Sequence, residues 1–141
     1  GWITHPEELG SHIAKVVQIT TTGVPEFLQN GLVSALKNYK TITHDLRLSL
    51  KKSRDLVFDR LVKWKQVECS IPDAAFYAFF KVKGMKDSLD FAKKLIVETN
   101  VGVAPGIAFG SSGEGHLRIC FAAKESFINN IMDRLEPVLN K

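Results

Sequence analysis

The stretch Val101-Gly-Val-Ala-Pro-Gly-Ile-Ala-Phe-Gly110, followed by Gly113-Glu-Gly-His-Leu-Arg-Ile119, leads a glycine- and proline-rich loop into a strand that carries one arginine. In His116-Leu-Arg-Ile-Cys-Phe121, alternation puts Leu117, Ile119 and Phe121 on one face and His116, Arg118 and Cys120 on the other. A planar guanidinium offers parallel N–H groups that match a carboxylate, and lysine cannot reproduce that fork. By residue type alone, an arginine on a strand is most often a surface or ion-paired side chain. Gly110-Ser-Ser-Gly-Glu-Gly115 is not a phosphate loop, because no Gly-Lys-Ser/Thr ending or following helix accompanies it.

Working outward, Trp2 to Thr4 reads as a short strand, and Pro6 with Glu7 and Glu8 as the first turn of a helix with Leu9, Ile13 and Val16 or Val17 on one face. Thr20-Thr-Thr-Gly23 interrupts that pattern, and Pro25 opens a second helix to about Asn38 with Leu28, Leu32, Ala35 and Leu36 together. From Thr43, the residues Leu46, Leu50, Val57, Leu61 and Trp64 keep helical spacing over some six turns. Two β-type segments follow, Val67 to Ile71 and Ala75 to Val82, divided by the turn signal Pro72-Asp73. Ser88 can cap a helix through Thr99 with Leu89, Ala92 and Ile96 inward. Val101 to Val103 and His116 to Phe121 read as further strands. A last helix buries Ile128, Ile131, Met132, Leu135 and Val138, with Pro137 near its end. This order describes a sheet covered by helices, α/β in the loose, α+β-like sense.

Composition narrows the function classes. At 141 residues the chain is long enough to bury a real core. Its 45% apolar and 24% charged content is that of a globular protein, and no apolar run approaches the ~20 residues of a membrane helix. The formal charge of +4 comes from scattered lysines without interleaved aromatics, which argues against a nucleic-acid partner. Cys69 and Cys120 lack metal spacing and read as two buried free thiols of a reducing, cytoplasmic protein. His5, His12, His44 and His116 form neither a metal set nor a triad, and Ser34-Ala-Leu-Lys37 lacks the companion elements of serine acyl enzymes.

The arginine-bearing stretch resembles the C-terminal part of class I/II pyridoxal-phosphate (PLP) aminotransferases, aspartate aminotransferase-like enzymes of fold type I. In that family a loop V-x-PG-x-x-FG precedes G-x-x-x-x-R-[IL]. The likeness continues through Gly1-Trp2-Ile3, Pro25-Glu-Phe-Leu-Gln29, Ser53-Arg-Asp55 with Leu61, and Pro72-Asp-Ala-Ala-Phe-Tyr77, in the family's order and over essentially the whole chain. Ala74 departs from the pattern, since the family usually has glycine there.

The resemblance implies that residues 1–38 are the end of the large PLP-binding domain and residues 39–141 the small C-terminal domain. It implies that Arg118 grips the α-carboxylate of the substrate. Thr20, Thr21 and Thr22 would approach the phosphate of the neighbouring subunit's PLP; read without the family, they are a loop before the next helix. The family's Schiff-base lysine precedes the glycine-tryptophan pair, so none of these 141 residues matches it, and the expectation is a C-terminal portion that is inactive alone. The implied intact enzyme is a homodimer that exchanges an amino group between an amino acid and a 2-oxo acid. Other fold type I activities, carbon–sulfur lyase or α-oxoamine synthase, and a non-catalytic association fragment remain as alternatives.

Overall fold

The structure, a computed structural model, describes residues 1–141. It divides into two compact units, Gly1–His44 and Asp45–Lys141. The division lies a few residues beyond the boundary expected near Tyr39.

In the first unit, residues 2–4 form no strand. A single 3₁₀ turn, Glu7–Leu9, leads into helix α1, Gly10–Thr20. Thr22 (φ 62°) and Gly23 (φ 112°) then turn the chain through left-handed backbone, which is why the threonine run ends the helix. Helix α2, Glu26–Lys37, starts directly after Pro25, where the missing N–H of proline costs nothing. Neither helix buries a residue within this chain.

Helix α3, Tyr39–Leu61, begins four residues earlier than the apolar spacing predicts and carries buried residues only in its C-terminal part: Ser53, Val57, Phe58 and Leu61. The second unit continues with strand β1, Val67–Glu68, strand β2, Tyr77–Val82, helix α4, Ser88–Thr99, strand β3, Ala104–Pro105, strand β4, His116–Cys120, and helix α5, Glu125–Leu139. The sheet has the order β1-β2-β4-β3, and every pairing is antiparallel. Inward residues of the two central strands, Ala78, Phe80, Val82, Leu117 and Ile119, pack with Val57, Phe58 and Leu61 of α3, Leu95 of α4, and Ile128, Met132 and Leu135 of α5. Trp64 joins this core from just beyond the end of α3.

Several local expectations are corrected. Asp87, not Ser88, caps α4, its carboxylate accepting from the N–H of Asp90 at 2.8 Å. The inward face of α4 is Ser88, Ala92, Leu95 and Thr99, whereas Leu89 and Ile96 are exposed. Val101 and Val103 are buried without strand pairing, the two-residue β3 following them. Both cysteines are free, but Cys69 is only half-buried and Cys120 is exposed, because Cys120 lies on the sheet face opposite the core. Burial still pushes the Cys69 thiol pKa up.

Candidate functional site

The glycines of the decisive loop have distinct physical jobs. Gly106 and Gly113 face each other so closely that a Cβ on either would overlap the other's carbonyl group. Gly110 (φ 112°) and Gly115 (φ 81°) supply backbone that side-chain-bearing residues rarely adopt. The loop therefore folds as two short 3₁₀ turns, Gly106–Phe109 and Ser111–Gly113, instead of running extended. Buried Ser88 ties it to the start of α4. The Ser88 hydroxyl accepts from the N–H of Ile107 at 3.2 Å, and the Ser88 N–H donates to Glu114 Oε1 at 2.7 Å. The same oxygen accepts from the N–H of Gly115 at 3.0 Å. The bonds from Gly115 and Ser88 hold the Glu114 carboxyl below the usual carboxylate range.

This pinned loop brings Phe109 over β4. Arg118 pairs in register with Phe79 of β2 on one side and Ala104 of β3 on the other. Its guanidinium carbon lies 4.0 Å from the ring centre of Phe109 and 4.3 Å from that of Tyr77. Both distances are those of a cation–π contact. Phe79 meets the Phe109 ring edge to face at 6.1 Å and stacks on His116 with the planes 1° apart at 4.9 Å. Arg118 is half-buried yet makes no ion pair and no side-chain hydrogen bond. Its donor edge is thus uncommitted, a state that favours a carboxylate or phosphate from outside the chain.

The sequence singles out Arg118 as a candidate, and its aromatic neighbours emerge only in the structure. Tyr77 and Phe79 share a face by alternation in Phe76-Tyr-Ala-Phe-Phe80, but only the β2–β4 register puts them beside the arginine. Phe109 reaches it through the turn that Gly106 permits. The other arginines of this unit near carboxylates are structural: Arg54 bonds Asp55 at 2.7 Å and the Pro72 carbonyl at 3.3 Å, and Arg60 bonds Asp133 and Glu136. Ser53, in the same motif as Arg54 and Asp55, donates to the Ala123 carbonyl at 3.2 Å.

Thr20, Thr21 and Thr22 belong to the other unit, at the C-terminal end of α1. The Thr20 hydroxyl donates to the Val16 carbonyl at 2.8 Å and that of Thr21 to the Val17 carbonyl at 3.2 Å. The Thr22 hydroxyl and the N–H groups of Gly23 and Val24 have no partner in the chain, so they are the donors that fit an oxyanion there. No grouping of three or more His, Cys, Asp or Glu side chains capable of holding a metal occurs, and no helix is long and apolar enough to cross a membrane.

Comparison with known proteins places nearly the whole chain beside aminotransferases. The LL-diaminopimelate aminotransferase of Natranaerobius thermophilus is 33% identical over 135 residues, covering 96% of this chain and 35% of that protein. Among solved structures, the aromatic aminotransferase of Pyrococcus horikoshii superposes with a TM-score of 0.86 at 29% identity, over 96% of this chain and 37% of that one. The aspartate aminotransferase of Thermus thermophilus with maleate gives 0.81 at 26% identity, over 95% of this chain and 35% of that one. The chain thus spans about a third of the length of the relatives it matches. The family model for aminotransferase class I and II matches residues 1–135. Sheet order, glycine loop and arginine strand all lie within that match, and the chain belongs to the aminotransferase class I and II family.

Proposed function

We propose that these residues serve a PLP-dependent aminotransferase, in which Arg118 binds the α-carboxylate common to the amino acid and 2-oxo acid substrates. The observation that carries this reading is half-buried Arg118, its guanidinium carbon over the rings of Tyr77 and Phe109 and its N–H groups without a partner in the chain. Relatives named for LL-diaminopimelate, aromatic and aspartate aminotransfer favour transamination over the lyase and synthase alternatives. Maleate, the companion of the Thermus thermophilus aspartate aminotransferase, is a dicarboxylate, chemistry that a paired-donor arginine suits.

When bound, PLP supplies the electron sink for the reaction. The residues of this chain contribute orientation. Arg118 donates two N–H groups, one to each carboxylate oxygen, and so fixes the substrate's long axis and its Cα. The Tyr77 and Phe109 rings, centred 4.3 and 4.0 Å from the guanidinium carbon, shed water from beside it, which strengthens its charge-assisted bonds. Thr22, with the amides of Gly23 and Val24, is the part of the Thr20–Thr22 segment suited to the phosphate of a partner subunit's cofactor. No lysine among the 141 residues takes the family's Schiff-base position, so these residues alone are expected to give no turnover. The homodimer and the cytoplasmic setting belong to the same proposal.

Arg118→Ala in the full-length enzyme tests it. Loss of one partner of a desolvated charge pair costs about 2 to 5 kcal/mol, so kcat/KM should fall at least about 30-fold for amino and oxo acid alike. Arg118→Lys should recover part of this, and PLP binding should stay near wild type. A kcat/KM within about threefold of wild type would assign the carboxylate to another residue.

A further inference from the structure

We infer that Phe109 is a positioning residue for substrate carboxylates, holding the Arg118 guanidinium in its bidentate orientation from a buttress built by Phe79 and His116. This rests on the reading of Arg118 as the carboxylate ligand.

The arrangement has three parts. A guanidinium with no anionic partner in its own chain has no hydrogen bond to fix its plane, and a long arginine side chain loses considerable rotamer freedom when it is held. Here two rings do the holding. Tyr77 sits on the same sheet as Arg118 and comes with the strand register. Phe109 comes from the loop, and its ring is held in turn: Phe79 meets it at 6.1 Å with planes 85° apart, and His116 lies flat on Phe79. The His116 ring is itself anchored, its Nδ1 lying 3.2 Å from the Glu114 carbonyl oxygen.

Phe109 is also poorly explained as a core residue. It is 47% exposed and lies outside the hydrophobic core. Two buried glycines, packed so closely that neither position has room for a Cβ, and the Ser88–Ile107 bond fix the turn that presents it, a costly local design for an exposed ring. The contact places the guanidinium carbon over the ring and uses none of its N–H groups in a hydrogen bond, so it can hold the group without competing for its donors. Because the carboxylate is present in both ground and transition states, the effect belongs chiefly to binding.

The test uses the PLP-loaded full-length enzyme and maleate as the probe, with the dissociation constant read by calorimetry beside steady-state kinetics. Phe109→Leu should weaken maleate binding and raise KM for amino acid and oxo acid about tenfold, the scale of a partly desolvated cation–π contact. The kcat should stay within about twofold. Phe109→Tyr, which keeps the ring, should restore binding to within about twofold of wild type. Phe109→Met, bulky without a ring, should behave like the leucine variant, and it replaces leucine if that variant melts early. In an Arg118→Gln background, Phe109→Leu should change maleate affinity less than about twofold, because its action runs through the guanidinium. If Arg118→Gln weakens maleate but both ringless variants bind like wild type, Phe109 has no positioning role. An equal loss from Phe109→Leu with and without Arg118 overturns it too, since the ring would then act by another route. Unchanged maleate affinity in Arg118→Gln alone would instead overturn the carboxylate reading beneath it.

Discussion

A methyl group on Gly106 would collide with the carbonyl of Gly113 and stand 2.7 Å from the carbonyl oxygen of His116, so the loop beside Arg118 closes only around glycine. Glu114 completes that closure by accepting two backbone N–H groups on one oxygen. Its carboxyl pKa is depressed in the fold, so its contribution to stability is fully present above the unfolded value of about 4.3 and is lost as pH falls through the folded value. Glu114→Gln should therefore be less stable than wild type at pH 7, and the difference should shrink as pH drops below about 4. Urea unfolding of both proteins across pH 3 to 7 checks the sign; a gap that widens toward acid would mean that Glu114 is not held ionised. Ala75 marks strain of a different kind. The family's usual glycine position is Ala74, yet it is Ala75 that carries φ 66°, so the entry to β2 turns one residue later than the motif suggests.

At the level of elements, α3 and α5 are joined by more than apolar packing. Arg60 reaches from α3 to Asp133 and Glu136, two carboxylates one turn apart on α5. Both acids are substantially exposed, so each pair is worth only about 0.2 to 1 kcal/mol. Arg60→Met should accordingly lower stability by about 1 kcal/mol or less, with most of the difference gone in 1 M salt. Thermal melts at low and high salt measure it, and a loss that salt leaves untouched would point to packing of the arginine stem instead. These helices also show what the sequence conveys. Inward positions with a strong period were readable: Val57, Leu61, Ile128, Met132 and Leu135 all lie in the core. Phase was misread on α4, where buried Ser88 and Thr99 are polar residues satisfied by loop and helix backbone, and residue-type patterns count such positions as outward. Strand β3 was misread for a related reason, since Val101 and Val103 are buried by packing and not by pairing. The arginine proposed to bind the carboxylate can be picked out by its motif, but the aromatic rings around it depend on register and on a glycine turn, which are tertiary facts.

Across the whole molecule, burial is unevenly shared. The Asp45–Lys141 unit holds the entire buried core, while the 3₁₀ turn, α1 and α2 leave Leu9, Val16, Leu28, Leu32 and Leu36 about half exposed. Half-exposed apolar side chains repeated along these elements favour association. The 141-residue chain, studied alone, should therefore form a dimer or a higher oligomer at tens of micromolar, a two-fold pairing being the simplest closed arrangement. Light scattering reads this directly. A clean monomer whose Gly1–His44 amides resist hydrogen exchange would show that those helices find their cover within one chain.

The sheet carries a consequence of another sort. Its two rims are β1 and β3, each only two residues long, and one of the four rim residues is Pro105, which has no N–H to offer. At the other rim Glu68 is charged and lies 3.8 Å from Lys81 on the neighbouring strand. A foreign strand needs a row of free amides and carbonyls to dock upon, and neither rim supplies one. Whatever sticky surface the helices present, the sheet itself is closed to the edge-to-edge growth that seeds fibrils.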